Sequence, residues 1–329
     1  MLSENDHLIS GILSLFMLLA MTQCLAVASG AVEGTEYIPS ANYSLTGDVN
    51  NTYSVADNSY RLYQEAASAY QNRSLTLSME LVGRFLQDHP ENGTAWNLKG
   101  SIQYSQRLYS EALDSYNRST ELNPADRMAW LNRGLVLTEM GWYEMAGESV
   151  EQSLLLDPNN SRAWNQMGII SSDLGHLDDA YSAYSRAVQL DPQYAESWNN
   201  QGLILQFQDR NDEAVQRFER AVSIRPDFAL AWNNKGLSLM IMGRFQEALT
   251  CYDRATSIMP GFAGSWNNRG VALENLGRYE EALTSYQNAT TINPNDPSAW
   301  NNQARLLQRQ GQYEAAKQAA AQAQSLGGN

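Results

Sequence analysis

The sequence predicts an all-α protein, a solenoid of stacked helix–turn–helix repeats, and three observations carry that prediction. Trp96, Trp130, Trp164, Trp198, Trp232, Trp266 and Trp300 stand 34 residues apart without a slip, and a fixed period of this size marks stacked supersecondary units. Four residues after each Trp comes a small residue, Gly in every copy but the last, where it is Ala304, and sixteen after comes Ala112, Ala146, Ala180, Ala214, Ala248, Ala282 or Ala316. Twenty-eight after, Pro124, Pro158, Pro192, Pro226, Pro260 and Pro294 close the first six copies.

Taken in chain order, the first element is residues 8–28, which run without a charge and as a helix measure roughly 31 Å, about one hydrocarbon core. Ala26-Val27-Ala28 before Ser29-Gly30 is an A-x-A cleavage pattern and favours a signal peptide. Glu4 and Asp6, where a signal peptide carries Lys or Arg, leave an uncleaved anchor open. Residues 29–58, rich in Ser, Thr, Asn and Tyr with no helical period, read as a polar stalk. Asn-x-Ser/Thr sequons stand at Asn42, Asn50, Asn72, Asn92, Asn117, Asn159 and Asn288, each an acceptor in an exported chain.

Residues 59–92 fit the repeat frame with Leu62 for Trp, Ala66 for Gly and a matching Pro90, a degenerate repeat. Residues 93–328 hold the seven clear ones. In the repeat from Ala231 to Pro260, Trp232, Gly236 and Leu239 share one stripe of the first helix, and Gly243 ends it in the left-handed conformation of a C-cap. Glu247 meets the positive end of the second helix, Ala248, Tyr252 and Ala255 face inward, and Pro260 stops it. Arg107 and Asp209 replace the turn Gly, and Lys99, Arg133, Gln201, Lys235 and Arg269 are expected to lay their stems on the core with the polar end outward. The last helix turns Gln318, Gln322 and Gln324 to water as a cap.

Trp, Gly four later, small Ala, an aromatic and a closing Pro resemble the tetratricopeptide-repeat family over about residues 59–328. That resemblance implies a right-handed α-solenoid of seven clear repeats plus one degenerate N-terminal repeat, whose first helices line a concave groove.

Composition narrows the function. The net charge of −14, with no Lys or Arg in the first 60 residues, excludes nucleic acid as a partner, which needs a basic stripe. Cys24 and Cys251 predict no disulfide. His7, His89 and His176 stand at no nucleophile or metal-ligand spacing, and no glycine-rich phosphate loop occurs, so neither an enzyme nor a cofactor or metal is expected. The Trp ladder reads as core rather than as an aromatic cage.

Two polar columns follow the Trp ladder: Asn165, Asn199, Asn233, Asn267 and Asn301 directly, then Asn132, Gln166, Asn200, Asn234, Asn268 and Asn302. The second column resembles the asparagine ladder of the O-linked N-acetylglucosamine transferases, in the repeats only, with no counterpart of their catalytic domain. That resemblance implies amides gripping a peptide backbone, since an amide both donates and accepts; the other reading is bonds between neighbouring helices. Further groove positions hold Ile169, Leu203, Phe207, Leu237, Met240, Ile241 and Val271, an apolar strip of the kind that marks a binding site. Toward the ends the same positions hold Glu139, Asp173, Glu274, Arg305 and Arg309. The expected protein is a non-catalytic extracytoplasmic scaffold that holds an extended protein segment, touches a membrane only through its N-terminal segment, and is anchored by residues 8–28 or secreted after cleavage near Ala28. The alternative is a structural spacer or envelope component with no single ligand.

Overall fold

The computed structural model describes residues 58–327. The leader, the stalk up to residue 57, Cys24 and the sequons at Asn42 and Asn50 lie outside the described residues, and Asn58, expected at the end of the stalk, opens the first helix. The described chain is an all-α repeat solenoid, and it divides into two compact units that meet in sequence between Leu190 and Asp191. The first unit holds α1 (Asn58–Gln71), α2 (Leu75–Asp88), α3 (Gly93–Ser105), α4 (Tyr109–Leu122), α5 (Arg127–Glu139), α6 (Tyr143–Leu156), α7 (Ser161–Asp173) and α8 (Leu177–Leu190). In the second are α9 (Ala195–Phe207), α10 (Asn211–Ile224), α11 (Ala229–Ile241), α12 (Phe245–Ile258), α13 (Ala263–Asn275), α14 (Tyr279–Ile292), α15 (Pro297–Arg309) and α16 (Tyr313–Ser325). Each odd-numbered helix pairs with the next to make one hairpin.

The small residues explain the pairing. A Cβ on Gly236 of α11 would stand 2.7 Å from the Tyr252 ring of α12, so the ring fills the space that the missing side chain leaves. Tyr252, Tyr286, Tyr116 and Phe218 are fully buried in this way. The turn between the two helices demands a left-handed residue, which Gly243 supplies at φ 72° without the penalty a Cβ brings. Arg107 and Asp209 adopt the same conformation at φ 60° and 58°, as expected of the residues that replace the turn Gly. In the first hairpin Leu62 packs beside the fully buried Ala66, and Ser78, where later repeats have Ala, donates its hydroxyl to Ala66 O at 2.7 Å. At the other end Gln318, Gln322 and Gln324 are exposed.

The tryptophans pack at the edge of the core rather than inside it. Each of the seven is only half-buried, and its Nε1 donates to the carbonyl of the Pro six residues before it, at 2.8–3.1 Å. The physical reason is the indole N–H, which must keep a partner when its ring is covered; the Pro carbonyl at the loop supplies one only if the ring lies at the loop edge. The full core is left to the Tyr and Phe of the second helices.

The long side chains on the first helices cover those rings. Lys99 lies over Trp96, Arg133 over Trp130, Lys235 over Trp232 and Arg269 over Trp266, with the cation 4.6–5.9 Å from the ring centre. Three of the four also reach back to the preceding repeat: Arg133 to Asn117, Lys235 to Glu219 and Arg269 to Asp253. The charge is thus spent between repeats rather than simply turned to solvent.

One buried hydroxyl breaks the pattern. Tyr116 OH donates to Ser101 Oγ at 3.2 Å and Tyr286 OH to Glu274 Oε2 at 3.0 Å, whereas Tyr252 OH is buried without a partner, because Met240 occupies the place that Glu274 holds one repeat later. Burial also pushes the Tyr252 phenol well above its usual pKa. A desolvated hydroxyl with no partner costs about 1–3 kcal/mol. Tyr252→Phe is therefore expected to stabilise the second unit by about 1 kcal/mol, read as a higher urea midpoint at an unchanged slope. Phe218, at the same place one repeat earlier, shows that the ring alone fits; a lower midpoint overturns the assignment.

Candidate functional site

The first helices of the second unit, α9, α11, α13 and α15, present the two polar columns and the apolar strip, and the columns prove to be joined to each other. Asn234 Nδ2 donates to Asn199 Oδ1 at 3.1 Å, Asn268 to Asn233 at 3.2 Å, and Asn302 to Asn267 at 2.9 Å. Each of these three second-column amides thus grips the first-column carbonyl of the preceding repeat, 35 residues earlier. Asn233 Oδ1 accepts from Ser265 Oγ as well, and Asn200 Oδ1 accepts from Asn199 Nδ2. Asn199, Asn200, Asn233, Asn234 and Asn267 are buried, while Asn268, Asn301 and Asn302 are partly exposed.

The first unit repeats the device. Asn132 Nδ2 donates to Asn97 Oδ1 at 2.9 Å, and Asn132 Oδ1 is buried without a protein partner. Asn97 completes the first column and was passed over in the sequence; its place directly after Trp96 is the signal that identifies it. Leu131 stands in that column one repeat later and offers no oxygen, so Gln166, longer by a methylene, donates to Thr138 Oγ1 at 2.9 Å instead.

Exposed apolar surface lies one and two turns further along these helices. On α9, Leu203 is partly exposed and Phe207 is 46% exposed; on α11, Leu237 and Ile241 occupy the same positions and are partly exposed. Met240 packs against the core cluster of Leu239, Tyr252 and Leu273, so its side chain belongs more to that core than to the strip. Ile169 is buried, and Val271 packs on that same core cluster of the second unit.

The charged groove positions behave unlike one another. Glu274 is buried and satisfied within the second unit: Arg305 donates to both its oxygens at 2.6 and 3.0 Å, and Tyr286 OH to one of them. Glu139 and Asp173 in the first unit carry no such clamp. Burial pushes the Asp173 carboxyl up to about 6; Glu139 is raised chiefly by burial, against the Tyr104 hydroxyl that donates to it and the Arg107 charge. Tyr143 responds to both, raised by burial first, then by Asp173 and Glu139.

The sign of this effect is testable. A carboxyl whose folded pKa is raised holds its proton more tightly folded than unfolded, so stability falls as pH rises from about 4 towards 6 and is flat above. Asp173→Asn is expected to raise the melting temperature at pH 7.5 and to leave it unchanged at pH 4, measured by thermal melts at both. An equal effect at both values shows that the Asp173 charge is not penalised.

Tetratricopeptide repeat models match residues 63–126, 129–160, 161–194, 183–216, 229–262, 263–296 and 285–318. The chain belongs to the tetratricopeptide-repeat family. Repeats of this family make scaffolds for protein–protein interaction, take protein partners or peptides, and are generally non-catalytic.

Among solved structures, the chain is similar to one in the Cut9–Hcn1 hetero-tetramer of APC/C, at 17% identity and a TM-score of 0.64 over 78% of this chain. It spans 50% of that chain's length. It is also similar to a tetratricopeptide repeat protein from Parabacteroides merdae ATCC 43184, at 16% identity and a TM-score of 0.58, over 81% of this chain and 98% of the other. At such identities the likeness shows the fold alone. No curated protein matches the chain in sequence. Among the described residues no helix is long and apolar enough to cross a membrane, and no three His, Cys, Asp or Glu gather as a metal site.

Proposed function

We propose that the protein is a non-catalytic extracytoplasmic scaffold that holds an extended protein segment against the first-helix face of its second unit. The observation that carries this reading is the apolar strip of the exposed Phe207 with the partly exposed Leu203, Leu237 and Ile241. Large apolar side chains at least partly open on successive repeats give contacts for a partner's apolar residues, and such patches mark interaction sites. The Asn ladder takes a supporting part. Its buried amides are tied to one another, and the partly exposed Asn268 and Asn302 are the ones placed to offer a second N–H to a ligand backbone. Export rests on the uncharged residues 8–28 and the A-x-A pattern that ends them.

The engagement of the ladder between repeats favours a second reading, a structural spacer in which the repeats serve as a rod and bind no single segment. Phe207→Ser with Leu237→Ser separates the two, because Phe207 is exposed, Leu237 is partly exposed and neither belongs to the buried core. A partner captured by the full chain from a solubilised envelope is expected to lose roughly 10- to 100-fold in affinity to the double variant, at about 1.4 kcal/mol per tenfold, with the melting curve unmoved. Full affinity in a normally melting variant sinks the groove and leaves the spacer. Protease added to intact cells should degrade the repeats; full-length protein confined to the cytosol removes export from either reading.

A further inference from the structure

We infer that Asn72 and Asn159 are sites of N-linked glycosylation on the folded protein, an inference that rests on the proposed export, and that the other described sequons are closed to it. The sequence offers five sequons within the described residues, alike as three-letter patterns, and the structure sorts them by backbone and burial. Asn72-Arg73-Ser74 forms the turn from α1 to α2. All three residues are exposed, Arg73 is left-handed at φ 58°, and Ser74 precedes α2 with no capping bond from its hydroxyl. Asn159-Asn160-Ser161 follows Pro158 in the loop from α6 to α7. Asn159 is exposed, and Asn160, not Asn159, caps the helix with its side chain.

The remaining three are spoken for. Asn92 is itself the cap of α3, its Oδ1 accepting from Ala95 N at 2.9 Å. Asn117 lies inside α4 and Asn288 inside α14. On a helix, residues i and i+2 point to nearly opposite sides, so the hydroxyl that a sequon must present beside its amide faces away. Ser119 is buried with its hydroxyl on Gly93 O at 2.8 Å, and Thr290 is buried with its hydroxyl on Gln287 O. Asn117 Oδ1 is further held by Arg133 Nε at 2.7 Å.

The step is a glycosyl transfer from a lipid-linked oligosaccharide diphosphate, catalysed by a membrane oligosaccharyltransferase. The amide nitrogen forms a bond to the anomeric carbon as that carbon's bond to the phosphate oxygen breaks. The lipid diphosphate departs with the bonding pair, and the amide gives one proton to the enzyme's base.

Two measurements test this. The full chain recovered from the envelope of its own cells, digested and mapped by mass spectrometry, is expected to carry sugar at Asn72 and Asn159 and none at Asn117 or Asn288. Asn72→Gln and Ser74→Ala should each remove the first glycan, Asn159→Gln and Ser161→Ala the second, and Ser161→Thr should keep it. In the second measurement the purified bare chain, folded or held in urea before refolding, meets an oligosaccharyltransferase with its lipid-linked donor. Modification of the turns at least 10-fold above the helical sequons in the folded chain, with the difference lost after exposure unfolded, supports the inference. Equal modification of all sites on folded protein overturns it. Exported protein with bare Asn72 and Asn159 overturns the glycosylation and spares the export; protein confined to the cytosol overturns both.

Discussion

Phe218→Ala is expected to lower the stability of the second unit by about 3–5 kcal/mol, the range for emptying a fully buried aromatic site. Phe218 is wholly buried, and its ring occupies the space opposite Gly202, where an added Cβ would stand 2.5 Å away. The complementary change, Gly202→Ala, is expected to destabilise by about 1–3 kcal/mol through overpacking. Together the two changes remove the clash, and Ala at position 202 then adds helix propensity of up to about 1 kcal/mol. The double variant should therefore be less unstable than the sum of the singles by about 0.5–3 kcal/mol. A solenoid sums local and nearest-neighbour terms, so in Phe218→Ala hydrogen exchange should rise most in α9, α10 and α11 and least in α16. Uniform loss of protection through the second unit contradicts that expectation, and strict additivity of the pair contradicts the packing argument.

The triple variant Asn200→Ala, Asn234→Ala and Asn268→Ala carries the other large effect, and the structure changes what it reports. Removing Asn234 and Asn200 leaves Asn199 Oδ1 without its donor from α11 and Asn199 Nδ2 without its acceptor, at about 1–3 kcal/mol for each buried group left unpaired, while Asn233 Oδ1 loses Asn268 but keeps Ser265 Oγ. Several kcal/mol of stability are therefore expected to go, roughly 3 or more, visible as a lower urea midpoint. Partner affinity should fall less than with the Phe207 and Leu237 changes once compared at temperatures where both variants are folded. A triple variant of normal stability refutes the inter-repeat role of the ladder.

The architecture was legible because its signal repeats: the spacing of Trp, Gly, Ala and Pro fixes helices, turns and the repeat frame, down to Arg107 and Asp209 in left-handed turns. The burial of the Trp ladder was not. Trp four before a Gly shares its stripe, but a stripe on one helix does not reveal that the indole N–H must find the carbonyl of Pro226 or Pro260 at the rim. The candidate site was legible in part. The amide columns stood out in the sequence, yet their pairing lies 35 residues away and depends on how consecutive repeats pack, so bonds to a ligand and bonds to a neighbour looked alike. Glu274 and Arg305 were placed among the groove residues by frame alone, whereas in the structure they hold each other. Met240 and Tyr252 show the same limit from the other side: nothing local to either residue discloses that one deprives the other of a partner.

The bonds across the junctions of the second unit join like to like, and this has a consequence for how such a chain changes length. Excision of residues 229–262 would set Asn268 opposite Asn199 and bring the Trp266 indole to the carbonyl of Pro226, the same donor and acceptor types that occur at the junctions now. Adding or dropping one whole repeat there therefore reuses a junction that already exists. A single inserted residue within a helix, by contrast, turns everything after it by about 100° and takes amide, indole and ring out of register together. Length is free to drift in steps of 34 residues and is held fast in between.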